Sequence, residues 1–201
     1  MKKLFMLLSI GSLLAGCAGH NQGGTGLEYG STTESAMQGN PVTIPTPTGN
    51  ARVSDAEAKF IREAFQHGQD EIQLGQLIVQ KGQSQAVKNF GQRLIDDHTT
   101  INQRLAQIAA QKGVTLPTGL DSGHQKRVDK LANLTGADFD RAVERDAVRD
   151  HEKDIRMYEH ADKNLQDPDI KAFTERTIPV LQQHLDLAKQ LESAGTTTFP
   201  G

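Results

Sequence analysis

From residue 54 onward, apolar positions recur every three or four residues in four long stretches. That is the spacing of amphipathic helices. The first runs over 55–81, with Ile61, Ala64, Phe65, Gly68, Ile72, Gly75 and Ile78 on one stripe. Ser54 and Glu57 before it fit a capping box, a serine at the N-cap and a glutamate three residues on. The second runs over 85–112 behind Ser84, with Val87, Phe90, Leu94, Ile101, Leu105 and Ile108 inside. It stops at Gly113, with Pro117 beyond. The third covers 137–164 on Phe139, Val143, Ala147, Ile155 and Tyr158. The fourth covers 168–193 on Ile170, Phe173, Leu181, Leu187 and Leu191, and Asp167-Pro168 gives it an N-cap and a first-turn proline.

The first two stretches and the last two are joined by short turns, so each pair predicts an antiparallel hairpin. A longer crossover joins the hairpins, with a short helix near 121–133 carrying Val128, Leu131 and Leu134. The expectation is an all-α fold: an antiparallel four-helix bundle of ferritin-like connectivity with one extra crossover helix. Pro179 falls inside the last helix and deprives the Glu175 carbonyl of its donor. It either bends the helix around the core or aims His184, one turn later.

The first 53 residues do not share this pattern. Met1-Lys2-Lys3, an apolar run from Leu4 to Leu14, and Leu14-Ala15-Gly16-Cys17 have the order of a secretory signal. The apolar run is shorter than the roughly 20 residues that span a bilayer. The segment resembles a bacterial lipobox, which implies a signal peptide over 1–16 and lipidation, palmitate included, at Cys17. Cys17 is the single cysteine, so no intramolecular disulfide forms. Ala18 in place of Asp implies outer-membrane rather than inner-membrane sorting. More than one acyl chain makes such an anchor stable. Residues 17–53, rich in Gly, Ser, Thr and Pro, predict a disordered tether of about 30 Å r.m.s. span. The expected layout is therefore signal, tether, bundle over 54–194 and a flexible tail over 195–201. The destination is the cell envelope, with the domain in the periplasm and the membrane met only through the anchor.

Composition narrows the function. Loss of Lys2 and Lys3 leaves 20 Lys and Arg against 25 Asp and Glu, a net charge of −5. With no basic patch, no Trp and 4% aromatics, a nucleic-acid surface is not expected. No Gly-rich phosphate loop, nucleophile elbow or paired-cysteine motif occurs.

Each long stretch sets one metal-competent side chain in its apolar stripe: Glu71, His98, His151 and His184. Counted from the connecting turns, Glu71 and His98 differ in height by about four residues, roughly 6 Å. His151 and His184 differ by about three. Helical side chains lean toward their own N-terminus, which narrows both gaps and predicts one layer. One carboxylate and three imidazoles suit a single Fe, Mn, Zn or Cu ion. His67, one turn before Glu71, can join them. Asp97 and Asp150 point about 100° away from the adjacent histidines and suit outer partners on neighbouring helices. His124 and His160 read as surface residues. The same layer also reads as a metal-free polar cluster whose members satisfy one another. Asp97–His98 or Asp150–His151 as an acid–base pair is disfavoured, because adjacent helical residues diverge.

Several segments carry a resemblance: Glu71-Ile72-Gln73-Leu74-Gly75, Val87-Lys88-Asn89-Phe90-Gly91, Asp97-His98 and Gly113-Val114-Thr115-Leu116-Pro117. So do Phe139-Asp140, Asp150-His151-Glu152, Ile178-Pro179 and His184-Leu185. Over about 54–193 the chain resembles the bacterial domain of unknown function 4142 family. The resemblance implies an exported, ferritin-like, outer-membrane protein and no particular activity. Ferritin-type di-iron sites need a Glu three residues before the His on two helices. Ile95 and Leu181 stand there instead, so a single histidine-rich site is the expectation. Two functions follow: metal binding in the envelope against metal or oxidative stress, or a structural module. The second would meet an envelope protein partner through Arg141, Glu144, Arg145, Arg149 and Lys153.

Overall fold

The computed structural model describes residues 53–196. The predicted signal, Cys17, nearly all of the tether and residues 197–201 lie outside the described residues. The described chain is an all-helical bundle: α1 (Asp55–Lys81), α2 (Gln85–Lys112), α3 (Ser122–Ala132), α4 (Gly136–Asn164) and α5 (Pro168–Thr196). The predicted helix ends agree with these closely because the capping chemistry is local. The Ser54–Glu57 capping box forms, Ser84 Oγ accepts from Val87 N, and Gly113 adopts φ 68° to end α2. The fourth long helix passes its expected end and continues through Pro179 to Thr196, into the predicted tail. Among the described residues no helix is long and apolar enough to cross a membrane.

The chain doubles back twice. Asn102 donates to the Phe65 carbonyl, while Gly91 meets Gly75 and Ile78 near the turn, so α2 retraces α1. Thr174 reaches Asp162 near the second turn, and His184 meets His151 further up, so α5 retraces α4. A carboxylate from each hairpin then closes the turn of the other. Asp140 of α4 accepts from the backbone of Gln83 and Ser84 at 3.0–3.2 Å. Glu57 of α1 accepts from Gln166 and Asp167 at 3.1 and 2.8 Å. These turn amides would otherwise lack a partner within the helices. Lys112 adds a buried pair to Asp167 and Asp169 at 2.6 and 2.8 Å, fixing the end of α2 to the start of α5.

Helices α1 and α2 touch through glycines. A Cβ at Gly75 would stand 2.7 Å from the Gly91 carbonyl oxygen, and one at Gly91 2.7 Å from Ile78 Cγ2. Backbone cannot step aside as a side chain can, so the helices themselves would have to part.

The core lies in two apolar layers. One gathers Phe60, Ile61, Ile101, Leu105, Ile108, Tyr158, Ile170, Phe173 and Leu181. The other gathers Leu74, Ile78, Val87, Phe90, Leu94, Leu131, Phe139 and Val143. Between them, residues 67–71 of α1, 98 of α2, 146–154 of α4 and 184 of α5 contribute buried polar groups.

Two outcomes test this packing. Gly75→Ala should lower the urea midpoint: overpacking costs about 1–3 kcal/mol, more than the ~1 kcal/mol of helix propensity gained. An unchanged or raised midpoint would refute the close approach. Glu57→Gln tests the turn closure. Burial alone would raise the Glu57 pKa, but bonds from Ser54, Asp167 and Gln166 hold it below the usual 4.5. Its contribution is therefore complete above pH 4.5 and is lost as pH falls through the lower folded-state value. The variant should lose about 1–2 kcal/mol at pH 7. The deficit should vanish in acid; a pH-independent deficit would refute the assignment.

Candidate metal centre

Three helices bring His98, His151 and His184 together. Their rings stand 5.2–6.2 Å apart between centroids, and all three are almost wholly buried. Each offers a ring nitrogen, and these nitrogens lie within 4.8 Å of one another. The stripes explain the convergence: each histidine replaces an apolar residue on the buried face of its helix.

Hydrogen-bond bookkeeping fixes two tautomers. His151 Nδ1 lies 2.9 Å from the Ala147 carbonyl, which can only accept, so Nδ1 carries the proton. His184 Nε2 lies 2.8 Å from Asp97 Oδ2. Burial would raise the Asp97 carboxyl, but bonds from Arg93 and His184 hold it below the ordinary value; it is ionised and accepts from His184 Nε2–H. In neutral rings the remaining nitrogens, His151 Nε2 and His184 Nδ1, then both present lone pairs, facing each other at 3.3 Å. Burial first, and the His151 ring second, lower the His184 pKa, so a proton is poorly held there. His98 has neither ring nitrogen hydrogen-bonded among the described residues. Burial and the two neighbouring rings push its pKa well down. Three ring nitrogens with lone pairs thus lie within 4.8 Å of one another. Four ligands at about 2.1 Å in a tetrahedron are about 3.4 Å apart, close to the 3.3 Å between His151 and His184.

Glu71 lies in the same layer but groups with other carboxylates rather than with the three histidines, and its Oε2 has no hydrogen bond among the described residues. Its Oε1 accepts from Arg127 Nη1 at 2.9 Å, and its nearest donor group is Asp70 with Asp150. The sequence pattern gave its height but not this partner, because Arg127 sits on α3 in the crossover. The Arg127 guanidinium also pairs with Asp70, with Asp146 at 2.5 Å and with Asp150 at 2.9 Å. Burial disfavours its charge, but the surrounding carboxylates keep it firmly protonated. Glu71 is held below the ordinary value, against burial, mainly by Arg127. Asp70 is pushed up to about 7 by burial, with the charges of Glu71 and Asp150 adding to it against Arg127. Asp150 is raised as well, by burial first.

The three outer candidates divide. Asp97 orients His184 from the adjacent helix. Asp150 belongs to the Arg127 nest. His67 stands apart from the three histidines, its Nδ1 2.8 Å from Asp154 Oδ1 on α4. His160 is exposed as expected, but His124 is not a plain surface residue. Packing of α3 on α1 sets its ring edge-on against His67 at 4.7 Å, with 16% of the side chain exposed. Arg127, Asp70, Asp146 and Asp154 were not singled out by the stripe pattern. Asp154 had a signal: it lies one turn after Asp150 and three residues after His151, on the inward side of α4.

Comparison with solved structures places this architecture. The chain is similar to the DUF305 fragment from Deinococcus radiodurans, at 12% identity and TM-score 0.63, over 72% of this chain and 99% of that one. It is also similar to CopM in the Cu(II)-bound form, at 21% identity and TM-score 0.60, over 69% of this chain and 96% of that one. At such identities the likeness is one of fold, and it agrees with a helical bundle. No curated protein matches the chain. The sequence itself is matched over residues 43–191 by a family description, and on that match the chain belongs to the family Domain of unknown function (DUF4142).

Proposed function

We propose that this protein is an envelope lipoprotein that binds one transition-metal ion in the core of an antiparallel, ferritin-like four-helix bundle. The observation that carries the metal reading is the facing pair of bare nitrogens, His151 Nε2 and His184 Nδ1, with unpartnered His98 beside them. Two facing lone pairs repel in a dry interior, and a cation removes the repulsion. An all-imidazole set suits Cu or Zn better than Mn, and Cu(II) stands highest in the divalent affinity order. Asp97 is the outer carboxylate that fixes one ligand's tautomer, as metal-bound histidines usually require. Three protein ligands leave a fourth position for water or an exchanging ligand. The Cu(II)-bound state of the structurally similar CopM supports copper as the first ion to try. The retracing contacts of α1 with α2 and of α4 with α5 support the ferritin-like arrangement. Ion capture by a bundle tethered through Cys17 suits protection of the envelope against metal or oxidative stress.

The test is calorimetry and EPR of the full chain carrying Cys17→Ser, which removes the thiol as a competing ligand. One Cu(II) per chain, with imidazole nitrogen couplings, is expected. His98→Ala and His184→Ala should abolish it, and Asp97→Asn should weaken it by about 10–100-fold. No stoichiometric binding of Cu or Zn, with the histidine variants merely less stable, would make the layer a metal-free polar cluster. The anchor has its own test. Cys17→Ser should move the chain from the membrane fraction to the soluble envelope fraction in a bacterial host; an unchanged distribution would refute lipidation at Cys17.

A further inference from the structure

The buried polar layer continues past the three histidines, and its far end remains unbalanced. His67 of α1 and Asp154 of α4 approach to 2.8 Å with side chains 9% and 2% exposed. Yet neither His67 Nδ1 nor Asp154 Oδ1 makes a hydrogen bond among the described residues. An approach this short without hydrogen-bond alignment means that the in-plane direction of Nδ1 does not run toward the carboxylate oxygen. A simple ion pair would align the two. Ligands of one ion behave differently: each aims at the metal, and neighbours at about 2.1 Å in an octahedron lie about 3 Å apart. Asp150, one helical turn before Asp154, brings a third donor within 4.8 Å of both.

Charge points the same way. Asp70, Glu71, Asp146 and Asp150 are gathered around one half-buried guanidinium, Arg127, with Asp154 one turn beyond Asp150. Arg149 reaches only Asp146, from a side chain 73% exposed. Arg127 pairs with Asp70, Glu71, Asp146 and Asp150. Among the described residues, Asp154 pairs with His67 and with no lysine or arginine. Above it, the His124 ring covers His67 and narrows the path to solvent.

We propose that His67, Asp150 and Asp154 form a second metal site, distinct from the three-histidine centre, that takes a hard to borderline divalent ion of the Mn2+ class. Two carboxylates and one imidazole favour oxygen-preferring ions, whereas the histidine triad favours copper or zinc. The two sites share α4 but no ligand, so each can fail without the other.

The experiment is Mn2+ titration of the full chain carrying Cys17→Ser, read by loss of the free-ion EPR signal and by pulsed EPR for nitrogen coupling. The expected result is one Mn2+ per chain with a single imidazole coupling. It should persist in the His98→Ala/His184→Ala double variant. His67→Asn and Asp154→Asn should each weaken it by at least the ~10–100-fold that loss of even an outer partner costs a metal site. Circular dichroism and retained Cu(II) binding at the triad would show that these variants are folded. Failure of the Cys17→Ser chain to bind Mn2+ overturns the proposal whatever the variants do. So does bound Mn2+ without nitrogen coupling, which would place it among the carboxylates alone. Loss of Mn2+ in the triad variant with retention in Asp154→Asn overturns it too, because the ion would then belong to the first centre.

Discussion

An ion moved from water into an apolar interior loses several kcal/mol of solvation unless a partner replaces the water. This bundle accepts that cost at one level of its core. Above and below are ordinary apolar layers. Between them lie four histidines, five carboxylates and a guanidinium. The layer interrupts apolar packing on all four long helices at once, and a bundle built only for stability would close that gap with leucine. Conformational specificity alone is a weak explanation for buried charge, which well-packed apolar residues often replace without loss of stability. A function for the donors is the stronger account.

Compensation comes from an unexpected direction. Four of the carboxylates are served by Arg127, which is carried by the short crossover helix and not by the bundle helices. The long connection between the two hairpins therefore does more than span distance. It delivers a fixed positive charge to the α1–α4 interface and lays His124 across His67. Arg127 also holds one oxygen of Glu71. The guanidinium bridges Glu71, Asp70 and Asp150, so these carboxylates gather beside the three rings rather than among them. One arginine thus separates the layer into a nitrogen-only end and an oxygen-rich end.

The helices were legible because their ends are set by local chemistry. Ser54 with Glu57, Ser84, Gly113 and Asp167 each act within a few residues of where they stand. The three histidines were legible because each breaks an apolar stripe, and equal heights above the connecting turns follow from a constant rise per residue. The pairings were not legible. Whether Glu71 faces a histidine or an arginine depends on how α3 docks, and a short helix with Leu131 as its one buried residue leaves that register open in the sequence. The partial burial of His124 against His67 depends on the same docking. Asp154 was within reach, since its inward position follows from that of Asp150 and His151, but a carboxylate among charged neighbours gives no contrast against a solvated face.

The position of α4 decides how the two ends relate. Asp150, His151 and Asp154 fall within two turns, and the roughly 100° between successive residues sends His151 to one side and the two aspartates toward the other. Small rotation of α4 would bring one donor set inward at the expense of the other. Contacts at both ends resist it: Asp140 holds the turn after α1, and Glu57 holds the turn before α5. A helix fixed at its ends keeps both donor sets at their spacing, and rigid placement lets donor type rather than raw affinity choose the ion. Copper, which outcompetes most divalent ions at flexible sites, would be directed to the nitrogen end by the softer donors there. The oxygen-rich end would be left to ions that carboxylates prefer.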